Sequence, residues 1–500
     1  MIKRRSLLLG GAVAATGAAS ATGAGVLLLS ASPSSAAAPA PTTSGATTAT
    51  GIDPGSIAKY VLKMPVLPHQ RPRRVSFTTD YYRMTMAEAY KEVIPGFQTK
   101  VNTFNGSFPG PVIDAWSGRR VVIEQTNKLD VPTSVHLHGA HVPSSSDGGP
   151  MDLIAPGGGT KTYTYPNEQT HANLWFHDHA HHIESETVYR GLTGTYILRD
   201  QVEARLGLPS GKYDIPISVR DARFDADGQL HFEMDDFFNR QVVLANGKAW
   251  PYFEVAARKY RFRIYNTANL RSFQFALGDG SPFTLIGTDG GLLAEPYVTT
   301  SVLLSPGERA DIVVDFSRYP VGTELELRNV ITQAPGTPPD VNQVLQFRVT
   351  RTERDHSVVP AKLRTLPALR PATVERSFSL LMDESSQEPA WAYINGKEYD
   401  PDRIDTTIDY GTTEIWTVTN DNKIAPHNFH IHLVMFRVLE RGGVPVTEGA
   451  ETGLKDTVFL RAGETVKLQA TFTGYRGVYL YHCHLFDHAS MGMMAQMQVV

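Results

Sequence analysis

The chain has 500 residues, with 47 Lys+Arg against 51 Asp+Glu, 42 Gly, 32 Pro and one Cys. That length is too great for a single core and suggests two to four domains. Near-balanced charge offers no field for nucleic acid or an anionic membrane surface, and abundant Gly, Pro and short β-branched or aromatic runs lean towards a turn-rich all-β protein.

In chain order, Lys3, Arg4 and Arg5 precede a Gly/Ala-rich, weakly apolar stretch that ends in small residues. This is the layout of an export signal over 1–38, with cleavage expected near Ala36 to Ala38. Paired arginines before Ser6-Leu7-Leu8 suggest the twin-arginine route. The expected location is therefore secreted or cell-envelope, with no stable membrane insertion once the signal is removed. Residues 39–55 are low-complexity and are expected to form a disordered leader.

Three later segments share one pattern: Asn-Gly, a short loop, then an alternating run that ends in Asn. They start at Phe104 ("FNGSFPGPVIDAWSGRRVVIEQTN"), Ala245 ("ANGKAWPYFEVAARKYRFRIYNT") and Ile394 ("INGKEYDPDRIDTTIDYGTTEIWTVTN"). Asn-Gly favours a hairpin turn, and the alternation is the period of half-buried strands. A repeat of roughly 150 residues is the size of a whole domain. The reading is three related β-sandwiches, at 56–200, 205–355 and 375–500. Helical periodicity appears only around "MAEAYKEV" from Met86, and weakly.

Ten of the 17 histidines fall in four clusters: His136 and His138; His177 and His179; His427, His430 and His432; His482, His484 and His488. Each contains a His-x-His pair, and on a strand i and i+2 share a face. Four pairs from the first and third repeats could converge on one interface. The sole cysteine, Cys483, lies inside the last pair. It has no partner for an internal disulfide, and a free thiol in an exported protein would be oxidised unless buried or metal-bound. One thiolate, two imidazoles and a weak thioether are the blue-copper set. His427, Cys483 and His488 supply the strong ligands, and Met493 is the preferred axial ligand, with Met494 as the competing choice.

The motifs "HLHG", "HDH", "HNFHIH" and "HCHLFDHASMGM", with "DGGPMD" and "LKDTV", make the chain resemble the multicopper oxidases, specifically three-domain bacterial laccases of the spore-coat type and bilirubin oxidases. The resemblance implies three cupredoxin-like Greek-key β-sandwich domains and four copper ions. His136 and His430 would hold the type 2 copper; His138, His177, His179, His432, His482 and His484 would hold the type 3 pair. A small aromatic reductant, a phenol or aromatic amine, would give electrons to the type 1 copper, and dioxygen would be reduced to water. Asp147, nine residues past the first motif, matches a carboxylate on the family's proton path; the alternative is a turn cap. Asp456 in "LKDTV" is expected to support a ligand or a turn. Where close relatives often carry a relay Glu after the last histidine, this chain has Ala489, so that part of the path must be absent, water-borne or taken over by Asp487. His181 and His182 match no family ligand and are expected to be exposed. Aminophenol-coupling, bilirubin-oxidising and cuprous-oxidising relatives share the motifs, although the 12 methionines form no insert of the cuprous-oxidase kind. A copper-storage or electron-transfer module would not need the extra histidines. Nothing points to an oligomer, so a monomer is expected.

Overall fold

The computed structural model describes residues 51–331, 339–383 and 391–500. The expected export signal, and residues 39–50 of the expected leader, lie outside these. Residues 51–55 do not behave as a disordered leader. Gly51 bridges to Asp225, the Ile52 N–H donates to the Phe224 carbonyl at 3.0 Å, and Asp53 caps the short turn Pro54–Ser56. A Cβ at Gly51 would sit 2.7 Å from the Phe224 carbonyl oxygen, so the glycine permits this backbone approach.

The fold is all-β, and the strands of the described residues group in six sheets. One pair of sheets uses strands between Arg74 and Arg199, a second uses strands between Asp214 and Arg351, and a third uses strands between Val374 and Val499. The same topology recurs in each pair. Thr79–Lys91 runs parallel to Arg120–Asn127, Asp214–Ala222 to Lys259–Asn266, and Val374–Met382 to Thr413–Asn420. The facing sheets also carry one parallel pair each: Val112–Trp116 with Thr193–Arg199, Tyr252–Ala256 with Gln343–Arg351, and Thr406–Ile408 with Met494–Val499. Parallel neighbours need crossover connections, which gives Greek-key β-sandwiches.

Local chemistry explains the repeat. Each Asn-Gly puts two consecutive residues at positive φ, with Asn105, Asn246 and Asn395 at 50°, 46° and 52°, as a tight hairpin turn requires. The Asn that ends each alternating run is a buried brace. Its side-chain oxygen accepts the backbone N–H two residues on at 3.0 Å, from Leu129 to Asn127, from Ala268 to Asn266 and from Asn422 to Asn420. Its amide spans two carbonyls on neighbouring loops, as Asn127 does to Val131 and Ile154.

Two expectations need correction. "MAEAYKEV" is not helical: its first six residues end the strand Thr79–Lys91, which pairs on one side with Thr99–Phe104 and on the other with Arg120–Asn127. Two ladders outweigh a weak helical period. "KYRFRIYN" is not half-exposed, since nearly all of Lys259–Asn266 is buried. Its outward arginines close a buried ion network: Arg261 with Asp311 and Glu203, and Arg263 with Asp214 and Glu203.

The histidine-bearing strands lie at comparable places in the first and third sandwiches. Val135–His138 is an edge strand next to Ala172–Asp178. His427–Ile431 and Gly477–His482 are neighbours in the last sheet. Their ends meet across the interface between the two sandwiches, beside residues 289–309 of the middle one.

Candidate metal centres

Strand pairing assembles the four motifs. His136 stands opposite His177, and His430 opposite His482. Across the interface His136 stacks on His432 at 3.9 Å between ring centroids, and His138 on His430 at 3.8 Å. All eight imidazoles of the four pairs are buried. Their nitrogens form groups whose members lie within 4.8 Å of one another: His138, His177 and His484; His179, His432 and His482; and His136, His138 and His430.

One nitrogen of most rings is fixed from outside. Nδ1 of His136, His177, His430 and His482 meets the carbonyl oxygens of Asp147 (2.6 Å), Asp178 (2.8 Å), Asp456 (2.8 Å) and Cys483 (2.9 Å). Nδ1 of His432 meets Asp147 Oδ2 at 2.7 Å, and Nε2 of His138 meets Asp456 Oδ1 at 2.8 Å. The backbone carbonyls can only accept, so the Nδ1 atoms that meet them carry the ring protons and the opposite nitrogens of those rings are bare lone pairs. His136 Nε2, His138 Nδ1, His430 Nε2 and His484 Nδ1 have no hydrogen-bond partner. Nε2 atoms face each other at 3.4 Å between His177 and His484 and at 3.2 Å between His432 and His482. Converging buried acceptors with no donor are unfavourable, and a soft cation removes the conflict. The outer hydrogen bonds are the kind that orient imidazole ligands. Burial holds every ring well below its usual range, His136 at about 3 and His482 at about 4, so the donor set is neutral.

Cys483 points the other way from its flanking histidines and is fully buried. Its Sγ lies 3.7 Å from His427 Nδ1 and 3.9 Å from His488 Nδ1, and those nitrogens are 3.0 Å apart. His427 Nε2 is fixed by Asn422 Oδ1 at 2.8 Å. Burial pushes the thiol up to about 12, so the site favours a thiolate only with a cation beside it. Met493 and Met494 are both buried on opposite sides of their segment. Met493 packs in the core that holds Cys483 and Phe429, whereas Met494 packs with Tyr399, Leu480 and Ala489. His488 is buried but the least so of the ten clustered rings, 4% exposed, with its Nε2 4.0 Å from Asp235 Oδ1.

Asp147 sits both at a turn and against a cluster ring. Its N–H closes the turn at Ser144–Ser146, while its carboxyl reaches His432 through Oδ2 and leaves Oδ1 without a partner. Burial pushes this carboxyl up to about 8. Asp456 holds a cluster ring: Arg309 clamps its two oxygens at 2.7 and 2.6 Å, and Oδ1 reaches His138. Asp487 is bonded at both carboxyl oxygens. Its oxygens take Arg240 (3.0 Å), Asn269 (3.2 Å), the Asp235 N–H (2.8 Å) and the Ser185 hydroxyl. His181 is half-buried rather than exposed, stacked on exposed His182 at 3.6 Å and against Tyr399.

Residues missed by motif reading include Arg309 and Asn428. The Asn428 side-chain oxygen accepts the His484 N–H at 2.5 Å and lies 3.6 Å from Cys483 Sγ; its amide donates to Pro306 O at 2.7 Å. Its place inside "HNFH" was the available signal. Arg309 had none.

Multicopper oxidase family models match residues 86–203, 233–323 and 370–500. The laccase of Bacillus subtilis (strain 168) is 33% identical, with 89% of this chain and 99% of that protein covered. The bilirubin oxidase of Albifimbria verrucaria is 35% identical, with 87% and 80% covered. A solved laccase structure from Pediococcus acidilactici superposes with a TM-score of 0.81 at 30% identity, covering 89% of this chain and 95% of that one.

Proposed function

The chain belongs to the multicopper oxidase family and is a laccase-like oxidoreductase that uses dioxygen; from that premise we propose which residues serve each half of its reaction. His427, Cys483, His488 and Met493 hold a type 1 copper. His136 and His430 hold a type 2 copper, and His138, His177, His484 with His179, His432, His482 hold a type 3 pair, making four ions. The observation that supports this most is the set of buried imidazole lone pairs without donors. When bound, copper supplies one-electron acceptance at the first site and the four-electron reduction of dioxygen at the second.

The chain's own residues do the rest. His488 presents its edge towards solvent, where a phenol or aromatic amine can approach within electron-transfer reach. Cys483 is bonded directly to His482 and His484, so a short covalent path runs from the electron-accepting site to the interface cluster. Arg309 and Asp456 hold the His138 ring, and Asp147 keeps a proton next to His432. We read the three sandwiches as domains at 56–200, 205–355 and 375–500. Among the described residues no helix is long and apolar enough to cross a membrane. On the expected N-terminal export signal we propose that the enzyme works outside the cytoplasm, as a monomer.

Metal analysis together with an oxygen-electrode assay on a phenol, an aminophenol, bilirubin and cuprous ion tests this reading. Four coppers per chain and oxygen uptake with phenols support it. Preference for cuprous ion or bilirubin would change the substrate class, and full activity with one copper would overturn the division of sites.

A further inference from the structure

Reduction of one dioxygen to two waters takes up four protons, and the interface cluster is sealed by neutral, buried rings. Something titratable must bring protons in. Asp147 borders one side, and a different carboxyl stands on another. The helix Glu184–Arg190 begins five residues past His179, its first N–H bonded to Ala180 O at 3.0 Å. Glu184 is fully buried, yet neither of its carboxyl oxygens has a hydrogen-bond partner. The Ser490 hydroxyl, also buried and unpartnered, is the side-chain group placed to favour its ionised form.

This is unlike the other buried acids. Glu203, Asp214 and Asp311 are paired with arginines, and Asp487 is fully bonded. A buried acid kept for stability is normally paired or hydrogen-bonded; Glu184 is neither. The groups facing it are Asp178 from the strand before the helix, Asp487 from the helix Phe486–Ser490, and Tyr399 from the loop packed on Ala489. Both acids disfavour its ionisation. Burial, the larger cause, pushes the carboxyl up to about 8, so it holds a proton at neutral pH. Tyr399 lines a surface cavity of about 540 Å³ that also reaches Asp147. Glu184 therefore lies between buried Tyr399, which borders that cavity, and the segment that follows His179.

We propose that Glu184 is a second proton-relay residue for dioxygen reduction, fed from the Tyr399 cavity and assisted by Ser490. Per turnover, four donor molecules lose one electron each and dioxygen gains four electrons and four protons. Each time it acts, Glu184 releases its carboxyl proton inward, becomes carboxylate, and is reprotonated from the cavity, so its net change is zero. This rests on the laccase-like reading above.

Two measurements on the full chain decide it. At neutral pH, Glu184→Gln should remove one protonated-carboxyl infrared band. In copper-loaded protein, anaerobic bleaching of the blue band by a phenol should be unchanged, while reoxidation by dioxygen slows by about 10²-fold, the low end for a positioned proton-transfer group, with a larger solvent deuterium effect. Glu184→Asp should recover part of the rate. An unchanged infrared spectrum, or full-speed reoxidation with the band gone, overturns the relay. If Glu184→Gln does not load copper, Glu184→Asp is read the same way: slowed reoxidation with normal bleaching supports the relay, full speed overturns it. A wild type that does not reduce dioxygen to water defeats the underlying reading, whatever Glu184 does.

Discussion

The two candidate metal centres are built on opposite plans. The thiolate site is local: Cys483, His488 and Met493 lie within eleven residues, His427 comes from a strand of the same sandwich, and the residues around them form one core. The eight-histidine site exists only where two sandwiches meet, with four rings from 136–179 packed against four from 430–484 and two pairs of them stacked across the boundary. The middle sandwich gives no histidine to either centre, yet its Arg309 and Pro306 brace Asp456 and Asn428. A local site depends on one core, whereas an interface site depends on everything that holds the interface. Cys483 is the one residue that belongs to both plans, because its backbone neighbours are cluster rings.

The largest effect should come from that shared residue. Cys483→Ser removes the thiolate but no imidazole, so the blue colour and substrate oxidation should fall to near zero while much of the type 2 signal persists in electron paramagnetic resonance. A wild type with its full copper content but no colour would sink the thiolate assignment. Next comes the brace. Arg309 is fully buried, and Arg309→Met leaves the Asp456 carboxylate without its counter-ion; removing one partner of a buried pair costs about 3–5 kcal/mol. Copper analysis and thermal unfolding should show a less stable protein that loses cluster copper first and keeps its blue band. Simultaneous loss of both would show that the sites are not independently built.

The third test separates the two half-reactions. Asp147→Asn keeps an oxygen for His432 Nδ1 but removes the exchangeable carboxyl proton. Dioxygen reduction should slow by about 10²-fold, the low end for a positioned general acid, and anaerobic bleaching of the blue band should change little. Equal slowing of both steps in stopped-flow traces would mean impaired folding or copper loading instead.

What was legible in the sequence had a period. The Asn-Gly turns and terminal asparagines mark equivalent hairpins, and His-x-His spacing puts two rings on one strand face wherever it occurs. What had no period was hidden. Arg261 and Arg263 alternate as exposed residues would, yet they are buried, because carboxylates from distant segments meet them. Arg309 and Glu184 gain their meaning only from what packs against them. Asp487 looked available beside His488, until Arg240 and Asn269, more than 200 residues away, were seen to occupy it. Burial of a charge is a tertiary fact, and a strand of alternating residues does not announce it.

The smallest effect, and the sharpest test of the local plan, concerns Met493. A thioether is a weak axial donor that favours Cu(II) modestly over Cu(I), and the axial ligand tunes the potential of such sites. Leucine has a similar volume, so Met493→Leu in the Cys483 core should cost less than about 1.5 kcal/mol. Losing the donor should raise the type 1 potential, make substrate oxidation more favourable, and reduce the driving force onward to the cluster. Met494 packs away from Cys483, against Tyr399 and Ala489, so Met494→Leu should leave the potential nearly unchanged. Redox titration of the blue band in both variants decides the matter: a shift confined to Met494→Leu would exchange the two residues, and no shift in either would refute an axial methionine.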